Sequence, residues 1–265
     1  MSKASKYIYI FKTSLSSNLV YFWSFLLKNI FFVFIIFIYL MLWGEVYGEK
    51  GNLISGLTLN NMIWYLIITE IITLSRSQFY LQVSEDVKSG SIAYGINKPY
   101  NYVIYCFFNS LGEMSVRLIS NMVLGLIIGI IFVGPLEEFK IITLPFIILS
   151  ILVGTFINFF IYIILALTSF WVEENKPFFW IYSKLIFTLG GMLIPLDLFP
   201  GWLKQISSYL PFAYITYVPG KLAVDFSIEN FYKGFLIQGL YLFLFIVIAL
   251  AMYRKGAEKL NVNGG

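Results

Sequence analysis

The sequence predicts an all-α integral membrane protein with six membrane-spanning helices. Of its 265 residues, 59% are hydrophobic and only 12% are charged. A soluble domain has about 25% charged residues, so this chain has too little polar surface to cover its apolar side chains in water. Long apolar runs recur along the chain, and each is close to the ~20 residues that a helix needs to cross ~30 Å of hydrocarbon. Lipid is therefore the expected solvent over much of the chain.

Six segments qualify as spans. Residues 144–171 and 235–253 contain no charge, and the run 118–135 extends backward past Arg117, whose long side chain can reach the headgroups. The remaining three contain charges, and they are residues 28–43 (preceded by 19–27), 57–80 and 177–196. No linker rich in proline or serine divides them, so residues 1–265 are predicted to form one domain.

The distribution of basic residues predicts cytoplasmic termini. An even number of spans puts both termini on one side, and with that side inside, twelve Lys and Arg residues fall in inner segments or inner helix ends against five outside. This agrees with the positive-inside rule. Ahead of the first span, Ile8, Phe11 and Leu15 share one helical face, which predicts a helix lying in the cytoplasmic interface.

Four charged residues fall within the predicted spans. Such residues are costly and mark either function or an ion pair. Glu70 is the deepest, and it either binds a proton or a cationic substrate group or pairs with one of the three cations, which is the favoured interpretation. The four intramembrane charges are Glu70, Arg76, Arg117 and Lys184.

Two spacings in the third span concern packing. Glu113 precedes Arg117 by four residues, the favourable order for a helical ion pair. Gly125 and Gly129 have the Gly-x-x-x-Gly spacing that lets two helices approach closely, either within the chain or at a dimer interface.

The residues needed for most catalytic sites are missing. The chain has no histidine and one cysteine, Cys106, which excludes Ser-His-Asp triads, internal disulfides and cysteine-based metal sites. The run GNLISGLT, from Gly51, has the glycine spacing of a P-loop but Leu57 where the phosphate-binding lysine is required. The acidic pairs at 137–138 and 173–174 are interpreted as solvated loop charges. We therefore predict no catalytic, cofactor-binding or metal-binding residue in this chain.

The inner segment, residues 84–101 (SEDVKSGSIAYGINKPYN), is predicted to contain a short, stiff helix. Ser84 is expected to cap it, Glu85 and Asp86 to occupy its first turn, and Lys88 to lie near its end. Gly90 is expected to close the helix in the left-handed conformation.

A second turn is predicted after Gly90. Ile92 and Tyr94 are its expected exposed apolar residues. Pro99 disfavours helix at Lys98 and separates this turn from the next span.

The outer segment, residues 190–222, cannot be one straight helix. It contains four of the chain's eight prolines, and proline interrupts helices. It is nonetheless apolar and aromatic, and irregular backbone at membrane depth must be buried in protein or face water. We predict an outer re-entrant helical hairpin between spans five and six, with Trp202 and Lys204 at the interface.

The runs EDVKSGSIAYGINKPYNY and GGMLIPLDLFPGWLKQISSYLPFAYITYVPGKL resemble those of permease subunits of bacterial ATP-binding-cassette exporters of the type-2 family. The resemblance covers the interfacial helix, six spans, inner loop and outer hairpin. Within that family the chain is similar to a branch whose permeases often pair with a second, different permease.

The resemblance implies a single transmembrane permease domain, residues 1–265, in the bacterial cytoplasmic membrane. Two permease chains, identical or different, would form the substrate path, and separate ATPase subunits would supply ATP and Mg and dock beneath them. The lipid bilayer is a partner, and nucleic acid is not. The chain itself would be no enzyme.

The resemblance also assigns two groups of residues. The ATPase-coupling group is Glu85, Asp86, Lys88, Gly90, Ser91, Ile92, Tyr94, Lys98 and Pro99. The outer-gate group is Gly190, Pro195, Asp197, Pro200, Trp202, Pro211 and Phe212.

Three other classes of protein stay open on the residues alone. A six-span secondary transporter would need paired broken helices and an ion site at the midplane, and the chain offers only Glu70 and one proline-broken region there. An integral-membrane enzyme lacks its usual residues, and a non-transporting membrane partner has no distinguishing sequence feature.

Overall fold

The computed structural model describes residues 3–51, 53–96, 98–136 and 139–263. Within these ranges the regular structure is helical apart from one isolated bridge between Ile54 and Leu57. The acidic pair 137–138 lies outside the described residues. The helices are α1 (Lys3–Leu19), α2 (Phe22–Lys28), α3 (Ile30–Lys50), α4 (Leu59–Leu74), α5 (Phe79–Lys88), α6 (Ile92–Ile96), α7 (Tyr102–Phe132), α8 (Leu144–Leu167), α9 (Lys176–Leu189), α10 (Gly201–Ser208), α11 (Pro211–Ile215), α12 (Tyr217–Val224) and α13 (Ile228–Asn263).

Among the described residues, four helical stretches are long and apolar enough to cross a membrane. They are Phe22–Glu49, Tyr102–Phe132, Ile141–Phe170 and Ile228–Lys259. The other two predicted spans are shorter than expected, because α4 has 16 residues and α9 has 14. At 1.5 Å per residue these helices are only ~24 Å and ~21 Å long.

Hydrogen bonds between serine hydroxyls and nearby backbone groups end α4 before the end of the predicted span. The Ser75 hydroxyl donates to the Ile71 carbonyl at 2.5 Å, and the Ser77 hydroxyl accepts the Phe79 amide at 3.1 Å. Serine side chains that bond nearby backbone groups compete with helix continuation. Arg76 therefore lies in the break between α4 and α5 instead of inside a helix.

The core has two apolar clusters. The first surrounds α8 and includes buried residues of α5, α7, α9 and α13. The second joins α3 and α4, where Tyr39, Trp43 and Tyr47 of α3 are buried. A hydrogen bond of 3.0 Å from the side-chain amide of Gln238 to the Ser150 carbonyl links α13 to α8 inside the first cluster.

The Gly-x-x-x-Gly spacing in α7 packs against α4 of the same chain. A Cβ atom on Gly125 would lie 2.6 Å from Cδ1 of Ile71, and one on Gly129 would lie 2.4 Å from the Trp64 ring. Of the two alternatives for this spacing, close packing within the chain is therefore the one observed.

Changing Gly129 to alanine is expected to lower the free energy of unfolding by about 1–2 kcal/mol, because overpacking outweighs the better helix propensity of alanine. The Trp64 ring cannot move away freely, since its Nε1 donates to the Gly134 carbonyl at 3.0 Å. Gly48→Ala in α3 is the control, because no atom lies within 4 Å of the added Cβ. It should be neutral or stabilising by up to about 1 kcal/mol. Thermal unfolding in detergent compares the two variants. Losses of melting temperature in both Gly129→Ala and Gly48→Ala would contradict the close packing of Gly129 on Trp64.

The predicted N-terminal helix is present and packs against the bundle through a face that contains Ser14. Helix α1 lies along α7, where the Ser14 hydroxyl donates to the Asn109 carbonyl at 2.5 Å and the Tyr7 ring stacks on Phe108 at 5.2 Å. Ile8, on the apolar face predicted to lie in the membrane interface, is exposed. The close approach of α1 to α7 depends on Gly112, which has no side chain, because a Cβ there would lie 2.5 Å from the Ser14 hydroxyl.

Candidate functional site

The inner segment begins inside a longer helix than predicted. Helix α5 starts at Phe79 and Ser84 lies in its interior, so the prediction that Ser84 caps the helix is wrong. The cap comes from α7, because Glu113 accepts hydrogen bonds from the Ser77 hydroxyl and from the Gln78 amide, the latter at 3.3 Å. A carboxylate is favourable at a helix N-terminus.

The acidic pair consequently falls in the last turn of α5 instead of the first. Asp86 accepts a hydrogen bond from the Tyr102 hydroxyl at 2.9 Å and another from the side-chain amide of Gln82 at 2.8 Å. Glu85, by contrast, is exposed. Asp86 thus fastens α5 to the start of α7, while Glu85 faces outward.

Ser84 connects α5 to the turn between α8 and α9. Its hydroxyl donates to Oδ1 of Asn175 at 2.9 Å and lies 2.9 Å from the Ser169 hydroxyl. Asn175 is buried and its own amide donates to the Leu165 carbonyl at 3.1 Å. The hydroxyl predicted to cap a helix is therefore a tertiary contact.

Lys88 forms a second link to the same turn. Its Nζ lies 3.6 Å from Oε1 of Glu174. The pKa of Glu174 is lowered mainly by a hydrogen bond from the Lys176 amide, and the nearby Lys88 ammonium lowers it further. Glu174 is well exposed, so this ion pair orients the helix end more than it stabilises the fold.

Gly90 takes the left-handed conformation that the sequence predicted, with φ +75°. Its amide donates to the Val87 carbonyl at 3.2 Å, which closes α5 before α6 begins. Ser91 then bonds back to Asp86, with its hydroxyl 3.3 Å from Oδ1.

The two residues of α6 that were predicted to be exposed have opposite environments. Ile92 is buried in the first core cluster, so the prediction that it is exposed is wrong, whereas Tyr94 is 80% exposed. Residues two apart in a helix point in directions roughly 200° apart, and both cannot face outward. Tyr94 is therefore the exposed aromatic residue of the segment.

The end of the inner segment contacts the N-terminal helix. Lys6 of α1 donates to the Pro99 carbonyl, and Lys98 lies over the Tyr100 ring with Nζ 5.9 Å from its centroid. As predicted, Pro99 lies between the end of α6 and the start of α7, where the Asn101 side chain caps α7 by accepting the Ile104 amide at 3.2 Å.

Glu70 does not pair with any of the three intramembrane cations. Glu70 is buried, and its carboxylate accepts a hydrogen bond from the Tyr39 hydroxyl of α3 at 3.2 Å. The favoured interpretation, pairing with Arg76, Arg117 or Lys184, is therefore wrong.

Each of the three cations has a different neighbour. Arg76 donates to the Tyr162 hydroxyl from the break after α4. Arg117 forms the predicted pair with Glu113 at 2.9 Å. Lys184 is exposed on α9, with Nζ 5.7 Å from the centre of the Trp180 ring.

The outer segment begins with a buried turn against α4. Helix α9 ends at Leu189, the carbonyl of the following Gly190 accepts the Thr216 hydroxyl at 2.6 Å, and Gly191 has φ +76°. The Tyr65 hydroxyl of α4 donates to the Gly191 carbonyl. Because Tyr65 is fully buried, the turn is fixed in the interior of the bundle.

Short helices follow this turn, as the prolines predicted. Pro195 precedes a single 3₁₀ turn, Pro200 directly precedes α10, and Pro211 is the first residue of α11. Trp202 is exposed on α10, whereas the Phe212 ring of α11 lies 6.0 Å from that of Tyr182. The segment therefore has an exposed helix followed by packed ones.

Asp197 organises the charges of the outer segment. Lys204 and Lys221 each lie 3.1 Å from its carboxylate, and the Tyr217 hydroxyl donates to it at 3.0 Å. Burial acts to raise the pKa of Asp197, but the two ammonium groups together lower it below the ordinary value.

We expect Asp197→Asn to lower the free energy of unfolding by about 1–2 kcal/mol at pH 7. Because the folded-state pKa is lowered, the stabilisation is complete above the unfolded value near 4 and is lost as the pH falls through the folded value. The gap in melting temperature between wild type and variant should therefore narrow below about pH 4.

Asp225→Asn is the matched control for this prediction. Asp225 also pairs with Lys221 at 3.1 Å, but its side chain is 61% exposed against 17% for Asp197. An exposed pair contributes at most about 1 kcal/mol. Equal losses in the two variants at pH 7 would contradict the assigned role of Asp197.

Comparison with known proteins identifies the family of this chain. A sequence model of ABC-2 family transporter protein matches residues 15–264, which leaves out only the first part of α1 and the last residue. Among curated proteins, none matches the chain. The match includes the inner segment, the outer segment and the four membrane-length helices. The chain therefore belongs to the ABC-2 family of transporter proteins, whose members are membrane transport components.

Proposed function

We propose that this chain is the membrane-spanning subunit of an ATP-driven exporter. It would form the substrate path with a second permease chain, identical or different. Separate ATPase subunits would bind ATP and Mg and pass their motion to the bundle through the inner segment. The chain itself would hold no cofactor and hydrolyse no ATP.

The attachment of the inner segment is the observation that carries this proposal. Ser84 and Lys88 bond to the α8–α9 turn, Asp86 bonds to α7, and the Pro99 carbonyl bonds to α1. A rigid element fastened to several long helices can transmit a displacement, whereas a mobile loop would absorb it. The segment also leaves Tyr94 and Glu85 exposed for a partner.

We further propose six spans with both termini in the cytoplasm of a bacterium. The four membrane-length helices supply four spans. Helix α4 would complete a crossing with the break before α5, and α9 with the buried turn and short helices of the outer segment. The excess of basic residues in the proposed inner segments supports this orientation.

Labelling of single cysteines tests the orientation. In a Cys106→Ala background, Tyr94→Cys should react with a membrane-impermeant maleimide only after the cells are opened. Tyr209→Cys on the outer segment should react in intact cells. Both positions are well exposed, at 80% and 72%, so a reversed pattern would contradict the orientation.

Purification tests whether ATP hydrolysis requires a separate subunit. The chain should copurify with a nucleotide-binding subunit encoded near its gene, and ATP hydrolysis should require that subunit. The isolated chain should show only the background rate. Robust hydrolysis by the isolated polypeptide would show that the proposal is wrong.

A further inference from the structure

An apolar crevice lies between α4, α7 and α8. Its volume is about 340 Å³, and its walls include Trp64 and Ile68 of α4, Leu126 of α7, and Leu144 and Ile151 of α8. These walls are almost entirely apolar and offer ordered water almost no hydrogen-bond partners, so the crevice suits a hydrocarbon chain. Its volume falls in the range of small-molecule sites.

A second cavity adjoins the crevice and is more polar. Its volume is about 360 Å³, and its walls include Lys140, Thr143 and Asp225. Phe139 and Ala223 line both cavities, so the two meet along these side chains. Together they form a site with an apolar part and a charged part, which we call the crevice and the vestibule.

The depth of the crevice matches part of one lipid leaflet. From Leu144 to Ile151, helix α8 rises by ~10 Å at 1.5 Å per residue. Half of a bilayer's hydrocarbon core is ~15 Å thick. The vestibule lies next to the start of α8, where a headgroup would be found if α8 spans the membrane.

We propose that this site binds a phospholipid, with one acyl chain in the crevice and a zwitterionic headgroup in the vestibule. The phosphate would lie beside Lys140 and the ammonium beside Asp225. Among the described residues that line the vestibule, these two carry charge, one of each sign. The Asp225 side chain is 61% exposed despite its contact with Lys221, so a headgroup can reach it.

Charge complementarity favours such a lipid over a second copy of this chain. A headgroup with a phosphate and an ammonium satisfies both charged walls, and its acyl chain fills an apolar volume that faces lipid. Under the proposed orientation the site lies in the outer leaflet. The binding itself does not depend on the transport function, so it can be tested separately.

Filling the crevice tests the acyl-chain half of the proposal. The purified chain is incubated in detergent with equal amounts of phosphatidylethanolamine and phosphatidylglycerol, and retained lipid is counted by native mass spectrometry. Leu126→Trp narrows the crevice, and Ile127→Trp is its control, because the two residues are 50% and 49% exposed but only Leu126 lines the crevice. We expect about tenfold less lipid on Leu126→Trp than on the control.

Charge changes test the headgroup half. Lys140→Ala should weaken retention of both lipids, since both have a phosphate, while Asp225→Asn should weaken only phosphatidylethanolamine, which has the ammonium. Wild type should prefer phosphatidylethanolamine. Equal retention of the two lipids by wild type, or no effect of Asp225→Asn, would overturn the headgroup assignment.

Two further outcomes decide the proposal. Equal lipid retention by Leu126→Trp and Ile127→Trp would overturn it, as would the finding that a second copy of the chain covers the crevice and excludes lipid. If Leu126→Trp does not fold, Ile130→Trp narrows the same crevice, with its neighbour Ile131→Trp as control. The same tenfold difference is then expected.

Discussion

Replacing Gly90 by proline is expected to lower ATP-driven transport about a hundredfold while leaving membrane insertion intact. Gly90 has φ +75°, and its amide donates to the Val87 carbonyl at 3.2 Å. Proline fixes φ near −65° and has no amide hydrogen, so the change costs about 3 kcal/mol or more at this turn. The joint between α5 and α6 would then be lost. Substrate efflux from vesicles and the yield of membrane-inserted protein measure the two effects.

Gly90→Ala separates the strain of the left-handed conformation from the loss of the amide hydrogen. Alanine keeps the amide that bonds to Val87 and suffers only the strain of the left-handed conformation, about 1–2 kcal/mol. Transport should therefore fall about tenfold, between wild type and the proline variant. Wild-type transport by Gly90→Pro, with normal ATPase association, would contradict a coupling role for the inner segment.

Glu113→Ala is expected to be strongly destabilising, with a loss of about 3–5 kcal/mol in the free energy of unfolding. The change removes the ion pair with Arg117 at 2.9 Å and the acceptor for the Ser77 hydroxyl and Gln78 amide. Both Glu113 and Arg117 side chains are more than four-fifths buried. An unpaired guanidinium and an uncapped α5 would remain, and the melting temperature in detergent should fall accordingly.

Glu229→Ala is the control for this change. Glu229 also pairs with a cation four residues later, Lys233, but both side chains are well exposed. Exposed helical pairs contribute little, so its melting temperature should stay close to that of wild type. Equal melting temperatures for the two variants would show that Glu113 does not anchor α5.

Features that depend on local backbone chemistry could be predicted from the sequence. Gly90 has the left-handed conformation expected of a helix-closing glycine, and Pro99 separates α6 from α7. Three of the four prolines of the outer segment, Pro195, Pro200 and Pro211, likewise start or precede short helices. In each case the conformational preference of a single residue determines the result.

Features that depend on distant partners could not be predicted. Helix α5 starts at Phe79 because its cap comes from Glu113, which lies on another helix. Ser84 bonds to Ser169 and Asn175, which are 85 and 91 residues away. No local pattern contains this information, and the helix start was therefore predicted six residues too late.

The rotation of packed helices explains the other differences. Glu70 accepts a hydrogen bond from Tyr39 of α3. The distribution of charged residues in the sequence does not indicate a tyrosine as its partner. Ile92 is buried in the first core cluster, whereas Tyr94, two residues later on α6, faces outward. Apolar periodicity is a weak guide in a membrane bundle, where the outward face is apolar as well.

Cross-linking from Tyr94 tests the coupling account most directly. In a Cys106→Ala background, a photoactivatable group is attached to Tyr94→Cys or to Tyr209→Cys, and the complex with its ATPase is irradiated. The account predicts that Tyr94→Cys cross-links to the ATPase subunit and Tyr209→Cys does not. An intact, transporting complex in which Tyr94→Cys gives no cross-link to the ATPase would contradict it.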